Sequence, residues 1–189
     1  MKPAFFEVLS PAEVEQIDVA SMNILESAGL RVNLKRARDA FREAGAHVDE
    51  AARSVRIPEE LVRRAVAQAP KQFTLYGSDP DIRLEIGTDQ VNFAALGTPT
   101  RIFDTETGEL RPTTLEDVRN HLRLIDGLDH INNSQMDIWP TDIPMSTIHV
   151  EAILAWAQNC RKSFGMGCYG VMASDDMMRM MAIAVGGKK

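Results

Sequence analysis

Hydrophobic positions follow two different patterns along this chain. In the first seventy residues they recur at helical spacing, as at Val14, Ile17 and Ile24. From residue 91 onward, short apolar runs typical of strands alternate with longer helical stretches. Strands that alternate with helices in this way predict βαβ units and a parallel sheet. The sequence therefore predicts an α/β protein whose first part is built differently from the rest.

The first part predicts a small helical domain that ends at Pro70. A capping-box pattern over residues 10–13 starts one helix, and Gly29 ends it. A second helix is expected with Asn33 as its cap and Gly45 as its end, and a third helix follows. The third helix is expected to end at Pro70, because proline cannot continue a helix. The expected domain spans residues 1–70.

An antiparallel meander and a hairpin are expected next, over residues 71–114. Glycine-rich and aspartate-rich turns separate these short strands. The predicted strands span residues 73–76, 83–86 and 91–95 in the meander, and residues 100–104 and 109–112 in the hairpin. Thr114 is the expected cap of the following helix, with Asp117 three residues on.

Three strand and helix pairs are expected over residues 91–189. The predicted strands span residues 91–95, 131–136 and 163–168, and the predicted helices span residues 115–128, 146–160 and 175–185. Parallel sheets are normally buried on both faces, and three strands with helices on one side leave an open edge. The pattern is therefore typical of the front portion of a larger barrel.

Composition narrows the expected partners. The chain has 189 residues, of which 44% are hydrophobic and 25% charged, as in globular proteins, and its net charge of −6 disfavours nucleic acid. No apolar run reaches the length of about 18 residues that a membrane span needs. Cys160 and Cys168 have neither disulfide nor metal-ligand spacing, and no histidine pair has it. We expect a cytoplasmic protein with reduced thiols and no metal site.

Candidate chemistry lies in the loops after the predicted strands, where barrels form their active sites. The loop after the second strand places Trp139 between Asp137 and Asp142, and Tyr169 follows the third strand. Aromatic faces beside carboxylates attract a quaternary or protonated amine. These four side chains are the predicted substrate-binding residues.

Several of the candidate residues and motifs also have a purely structural interpretation. Trp139 can pack beneath its loop, and Asp142 can cap the next helix. His149 lies on that helix, where histidines are more often structural. Residues 165–170 contain a glycine pattern without a helix opening at the last glycine, which is a weak sign of a phosphate site. Methionines at helical spacing over residues 177–181 are typical of a core.

Five segments in order give the chain a resemblance to a known family. They are residues 24–32, 55–62, 69–77, 104–117 and 139–144. In this order they resemble the amino-terminal part of the trimethylamine methyltransferase family. Its members include pyrrolysine-containing enzymes and relatives without pyrrolysine that act on glycine betaine and similar amines. The resemblance covers essentially the whole chain.

The resemblance implies a partial (β/α)8 TIM barrel and a corrinoid-dependent methyltransferase. Such an enzyme moves a methyl group from trimethylamine, glycine betaine or a similar amine to the Co(I) of a corrinoid protein, as in methanogenesis. The cobalamin is carried by that partner, so no cofactor is expected to bind this chain directly. Family members are longer, so we expect an amino-terminal fragment that is inactive alone and a homo-oligomer at full length.

Three other functions remain open from the sequence. A barrel lyase or aldolase would need a lysine or paired carboxylates at the strand ends, and Lys162 lies at the start of its strand. A protein that binds methylated amines without catalysis is the second alternative. An inactive truncated product is the third.

Overall fold

The computed structural model describes residues 8–95, 97–167 and 169–187. The chain divides into two compact units, which we call the N-terminal unit, Met1–Lys71, and the C-terminal unit, Gln72–Lys189. Both combine helices with short strands, which confirms the predicted α/β class. The described residues contain no closed barrel.

From residue 8 onward, the N-terminal unit contains three helices and a small sheet. The helices are α1 (Pro11–Ser27), α2 (Lys35–Ala44) and α3 (Glu59–Gln68), and the strands are β1 (Leu30–Arg31), β2 (His47–Asp49) and β3 (Ser54–Arg56). Strand β3 lies between the other two and is antiparallel to both. The sequence did not predict this sheet, because strands of two or three residues are too short to show an alternating pattern.

Local signals set the ends of α1 as predicted. The hydroxyl of Ser10 accepts a hydrogen bond from the Glu13 amide at 3.3 Å, and the Glu13 carboxylate accepts one from the Ser10 amide at 2.8 Å. Gly29 has a φ of +70°, and a Cβ there would lie 2.3 Å from the Val55 carbonyl oxygen. A glycine is therefore needed where α1 gives way to β1.

The start of α2 differs from the prediction. Asn33 is not its cap, because Leu34 occupies the N-cap position and no side chain caps the helix. Instead, the Arg38 guanidinium donates to the carbonyl oxygens of Val32 and Asn33, each at 2.9 Å. A buried arginine from inside the helix thus holds the segment that precedes it.

Six strands and three helices are present in the described residues of the C-terminal unit. The strands are β4 (Phe73–Tyr76), β5 (Arg83–Ile86), β6 (Arg101–Phe103), β7 (Leu110–Pro112), β8 (Ser134–Gln135) and β9 (Phe164–Gly165). The helices are α4 (Leu115–Gly127), α5 (Ile148–Asn159) and α6 (Val171–Ala184). Strands β4 and β5 form one antiparallel hairpin, and β6 and β7 form the predicted second one.

Strands β8 and β9 pair in parallel, with Ser134 opposite Phe164. Ala94 adds one parallel bridge to Asn133 on the other side. The predicted parallel order is therefore present, in ladders shorter than expected, and Cys168 at the predicted end of the third strand lies outside the described residues.

The prediction that residues 91–95 form the third strand of the meander is wrong. The backbone of Phe93 is hydrogen-bonded to Asn132, by the Asn132 amide at 2.7 Å and by the Asn132 side-chain oxygen at 2.9 Å. Those bonds direct the segment around Ala94 toward β8, so that in the described part of the chain it forms no ladder with β5.

The core of the C-terminal unit lies beneath α4, α5 and α6. Leu122, Ile153 and Trp156 are each at most 3% exposed. The Lys162 ammonium donates to three backbone carbonyl oxygens around the end of α4, at 2.6 to 2.8 Å. A cation there satisfies acceptors that the helix leaves without partners.

The hairpin of β4 and β5 contacts the segment that joins α5 to β9. Gly77 lies so close to it that a Cβ would be 1.9 Å from the Arg161 carbonyl oxygen. The Ser78 hydroxyl donates to the Cys160 carbonyl oxygen at 3.2 Å. Burial raises the pKa of the neighbouring Cys160 thiol.

Candidate functional site

A cleft of about 690 Å³ opens where the loops after β8 and β9 meet the first turns of α5 and α6. We call it the aromatic cleft. Its walls include two aromatic rings, one imidazole, one carboxylate and two thioethers: Trp139, Tyr169, His149, Asp176, Met145 and Met172. It lies at the carboxyl ends of the parallel strands, where the sequence predicts a site.

Trp139 and Tyr169, the two aromatic residues of the predicted substrate site, lie side by side in this cleft and could form an aromatic cage for a cation. Their ring centroids are 5.7 Å apart and the rings meet edge to face at 76°. Such pairs are favourable because the positive edge of one ring contacts the negative face of the other. The two loops thus bring together rings that are 30 residues apart in the chain.

The backbone around Trp139 is firmly held. Its amide donates to the Pro99 carbonyl oxygen at 3.0 Å, and its carbonyl oxygen accepts from the Thr113 hydroxyl at 2.5 Å. The Thr113 carbonyl oxygen in turn accepts from both the amide and the hydroxyl of Thr141. Because Thr113 is fully buried, these bonds hold the backbone that carries the indole before any ligand arrives.

Asp142 caps a helix, but a different helix from the one expected. Its Oδ1 accepts from the Leu115 amide at 2.8 Å, at the start of α4. The predicted capping box of Thr114 and Asp117 is present at the same end. Asp142 thus helps to hold the Trp139 loop against α4, and it is not among the residues that line the aromatic cleft.

Asp137 is buried, and it too lies outside the lining of the aromatic cleft. Its Oδ2 is 2.9 Å from His121 Nε2, while its Oδ1 is buried without a hydrogen-bond partner. Since an ionised carboxylate only accepts, His121 is the donor. The pair connects α4 to the start of the Trp139 loop.

Asp176 is the carboxylate that the sequence analysis missed, and His149 lies beside it. His149 Nε2 is 3.3 Å from Asp176 Oδ2, across the gap between α5 and α6. The side chain of Asp176 is 51% exposed and that of His149 is 12% exposed. Sequence spacing did not reveal the pair, because the two residues are on different helices; their position in early turns after strands was the only signal.

The polarity of the aromatic cleft is simple. No lysine or arginine occurs among its described lining residues, and Asp176 is the one carboxylate among them. Much of the remaining wall consists of aromatic rings and thioethers. An apolar cleft with one carboxylate suits a cation whose surface consists of methyl groups. Clusters of three or more potential metal ligands are absent from the described part of the chain.

A second opening of about 420 Å³ lies directly at the strand ends, with Thr98, Gln135 and Gly167 in its wall. Tyr169 borders both this opening and the aromatic cleft. A Cβ at Gly167 would lie 3.1 Å from the Tyr169 hydroxyl, so this glycine leaves room for the ring. Tyr169 is therefore part of the wall of both openings.

The glycine pattern over residues 165–170 was interpreted incorrectly in one respect. Helix α6 begins at Val171, directly after Gly170, and not at residue 175. Gly170 has a φ of +105°, and no side chain caps the helix. A helix that starts from a glycine turn without a cap gives no start signal in the sequence.

Comparison with known proteins gives a consistent result. Residues 2–189 match the family model described as trimethylamine methyltransferase. Among curated proteins, the chain is 31% identical to the trimethylamine methyltransferase MttB of Desulfitobacterium hafniense over 179 aligned residues. The aligned residues make up 95% of this chain and 36% of that protein. The chain is 29% identical over 186 residues to a glycine betaine methyltransferase of the same species, covering 97% of this chain and 38% of that protein.

A third relative is the trimethylamine methyltransferase MttB1 of Methanosarcina acetivorans. The identity is 31% over 135 residues, which covers 69% of this chain and 27% of that protein. The chain thus spans little more than a third of the length of the curated relatives that it matches. Among its described residues, no helix is both long and apolar enough to cross a membrane.

Proposed function

The chain belongs to the trimethylamine methyltransferase family, and from this premise we propose that its protein removes a methyl group from a methylated amine and passes it to the Co(I) of a corrinoid protein. The observation that carries the proposal is the edge-to-face pair of Trp139 and Tyr169 beside Asp176, at the carboxyl ends of parallel strands. The names of relatives, which specify trimethylamine and glycine betaine, support this class of substrate. The family resemblance supports the corrinoid partner and a homo-oligomeric state of the longer protein, and the composition supports a cytoplasmic location.

The proposed fold is the first part of a (β/α)8 TIM barrel. Three consecutive parallel segments, at Ala94, β8 and β9, are each followed by a helix of the C-terminal unit. This order supports a barrel because consecutive strands in that fold are neighbours and each is followed by an outer helix. It also accounts for a cleft formed by the loops after the strands.

The chemistry requires a methyl group to be presented to a strong nucleophile. As the nucleophile bonds to the methyl carbon, the C–N bond breaks, both of its electrons remain on nitrogen, and the amine leaves without its positive charge. Trp139 and Tyr169 bind the cationic ammonium through their ring faces, and the thioethers of Met145 and Met172 add exposed apolar surface beside them. The firmly held backbone of Trp139 limits the positions that the indole can take toward the ligand.

We assign the countercharge to Asp176, in place of Asp137 and Asp142. Asp137 is buried against His121, and Asp142 caps α4, so both carboxylates already have partners outside the aromatic cleft. Asp176 lines the cleft and is half exposed, which leaves it accessible to a ligand. Asp137 and Asp142 act on the site through the loop that carries Trp139.

The test compares a cation with its neutral analogue. Trp139→Leu keeps apolar bulk but removes the ring quadrupole. Choline should therefore bind about tenfold more weakly, which is a loss of about 1–2 kcal/mol of binding free energy. The neutral tert-butyl analogue of choline should lose little. Calorimetric titration of both ligands measures these losses, with Tyr76→Leu, an exposed aromatic residue outside the cleft, as the matched control.

The two ligands separate the possible roles of Trp139. Equal losses for choline and for its neutral analogue would mean that the indole only packs. No loss for either would remove Trp139 from the site and would contradict the proposed cage.

A further inference from the structure

We propose that Asp176 determines which methylated amines the aromatic cleft accepts, and that it selects cations without a carboxylate over zwitterions such as glycine betaine. The inference rests on the proposed function, because it places the ammonium group between Trp139 and Tyr169. It adds a specificity-determining residue that the cage alone does not provide, since aromatic faces bind the trimethylammonium group of choline and of glycine betaine equally well.

The charges around the aromatic cleft support this selection. Asp176 is the one carboxylate among the described residues that line it, and none of those residues is a lysine or an arginine. Arg179, which lies one turn further along α6, pairs with Asp175 at 2.9 Å and is not part of the lining. A ligand carboxylate therefore meets no guanidinium or ammonium group there, and it is repelled by Asp176 at short range.

His149 does not reverse this balance. Its Nε2 faces Asp176 Oδ2, so its donor is directed at a carboxylate that the cleft already contains. A ligand carboxylate would have to compete with Asp176 for that donor. A ligand without a carboxylate leaves the pair intact.

The first turns of α5 and α6 act against this selection, because they favour a ligand carboxylate. Both helices lack a side-chain cap, and the start of each lies at the aromatic cleft. Each helix start carries roughly half a positive charge, which favours anions. Asp176 lines the same cleft, and the full charge of its carboxylate opposes these partial positive charges, so it weakens the attraction that they would exert on a ligand carboxylate.

A neighbouring residue offers a matched control. Asp175 precedes Asp176 on α6, has a similar exposure of 56%, and does not line the aromatic cleft. Asp175→Asn and Asp176→Asn therefore change the net charge of the protein equally. Only the second removes a charge from the cleft. Both side chains are exposed, so neither variant removes buried structure.

The experiment titrates the chain of 189 residues with choline, glycine betaine and the neutral tert-butyl analogue of choline at low ionic strength. The wild-type chain should bind choline at least about fivefold more tightly than glycine betaine, as expected for one partly exposed charge. Asp176→Asn should weaken choline binding about fivefold, leave the neutral analogue unchanged, and leave glycine betaine unchanged or bound more tightly. Asp175→Asn should resemble the wild type for all three ligands.

Two results would overturn the inference and leave the proposed function intact. One is that the wild type binds glycine betaine as tightly as choline, which would mean that the helix starts outweigh Asp176. The other is an equal loss for all three ligands in Asp176→Asn, which would indicate only a packing role. By contrast, choline binding that survives Trp139→Leu unchanged, or no binding by the folded chain, would contradict the proposed cage itself.

Discussion

Helices α1 and α5 are stabilised in opposite ways. Helix α1, in the N-terminal unit, has a complete capping box and Pro11 in its first turn, yet none of its residues is buried. Helix α5, in the C-terminal unit, has no side-chain cap and buries five residues, including Ile153 and Trp156. The comparison shows that local signals define a helix that packs weakly, whereas burial maintains a helix that has weak local signals.

The cores of the two units show the same contrast. The buried residues of the N-terminal unit's core are Ala46, Val55 and Ile57. Ion pairs such as those of Arg42 with Glu50 and of Arg63 with Asp18 surround it, and exposed pairs of this kind contribute little stability. The C-terminal unit contains a larger buried cluster beneath three helices. We therefore expect equivalent substitutions to cost more in the C-terminal unit.

The largest difference is expected for matched isoleucine substitutions in the two helices. Ile153→Ala in α5 removes a side chain with no exposed surface and should lower the free energy of unfolding by about 2–5 kcal/mol. Ile24→Ala in α1 removes a side chain that is 59% exposed and should change it by less than about 0.5 kcal/mol. Urea unfolding, followed in each unit by hydrogen exchange, measures both effects. Similar losses would mean that α1 is packed as tightly as α5.

A smaller difference is expected for two lysines. Lys162→Met removes three charged hydrogen bonds to carbonyl oxygens and should cost about 2 kcal/mol of unfolding free energy. Lys35→Met in the N-terminal unit removes an exposed pair with Asp39 and should cost less than about 0.5 kcal/mol. Thermal unfolding of the two variants compares them directly. A cost at Lys162 no greater than at Lys35 would show that water replaces the lost donor.

The smallest difference concerns pH and the two capping boxes. Hydrogen bonds from Arg111, aided by Thr114 and opposed by burial, hold the pKa of Asp117 far below its ordinary value of 3.8. Because the folded pKa is lowered, the stabilisation is complete above about pH 4 and is lost as the pH falls toward the folded value. The capping role suggests a contribution of about 1 kcal/mol, and Asp117→Asn should remove this acid dependence.

Glu13 in α1 provides the control for this pH effect. Its pKa is also lowered, chiefly by the hydrogen bond from the Ser10 backbone, but the carboxyl group is fully exposed. Glu13→Gln should therefore leave the acid unfolding curve almost unchanged, as measured by circular dichroism from pH 5 to pH 2. If the stability of Asp117→Asn falls as steeply with acid as that of the wild type, the acid dependence comes from other carboxylates.

The parts of the fold that could be predicted are those determined by residues close together in the sequence. Ser10 and Glu13 identify the start of α1 because they bond to each other, and Thr114 and Asp117 do the same for α4. The sheet around β3 could not be predicted, because its strands are held by partners that the sequence pattern does not reveal.

The same distinction applies to the candidate site. Trp139 and Tyr169 were predicted to share it, because each follows a strand and the strand ends meet. Asp176 was missed because its proximity to His149 depends on how α5 and α6 pack, and not on spacing along the chain. Whether these residues bind an amine stays a prediction.

The close approach of Gly77 to Arg161 also has a consequence for the order in which the chain folds. The hairpin of β4 and β5 leaves the ribosome well before the segment that it contacts, since Ser78 and Cys160 are 82 residues apart. Closing so long a loop carries an entropy cost that rises slowly with its length. The hairpin must therefore wait, with its contact surface open to water, until α4 and α5 have been made. Any side chain larger than hydrogen at Gly77 would obstruct a contact that cannot form until the chain has been made through Arg161.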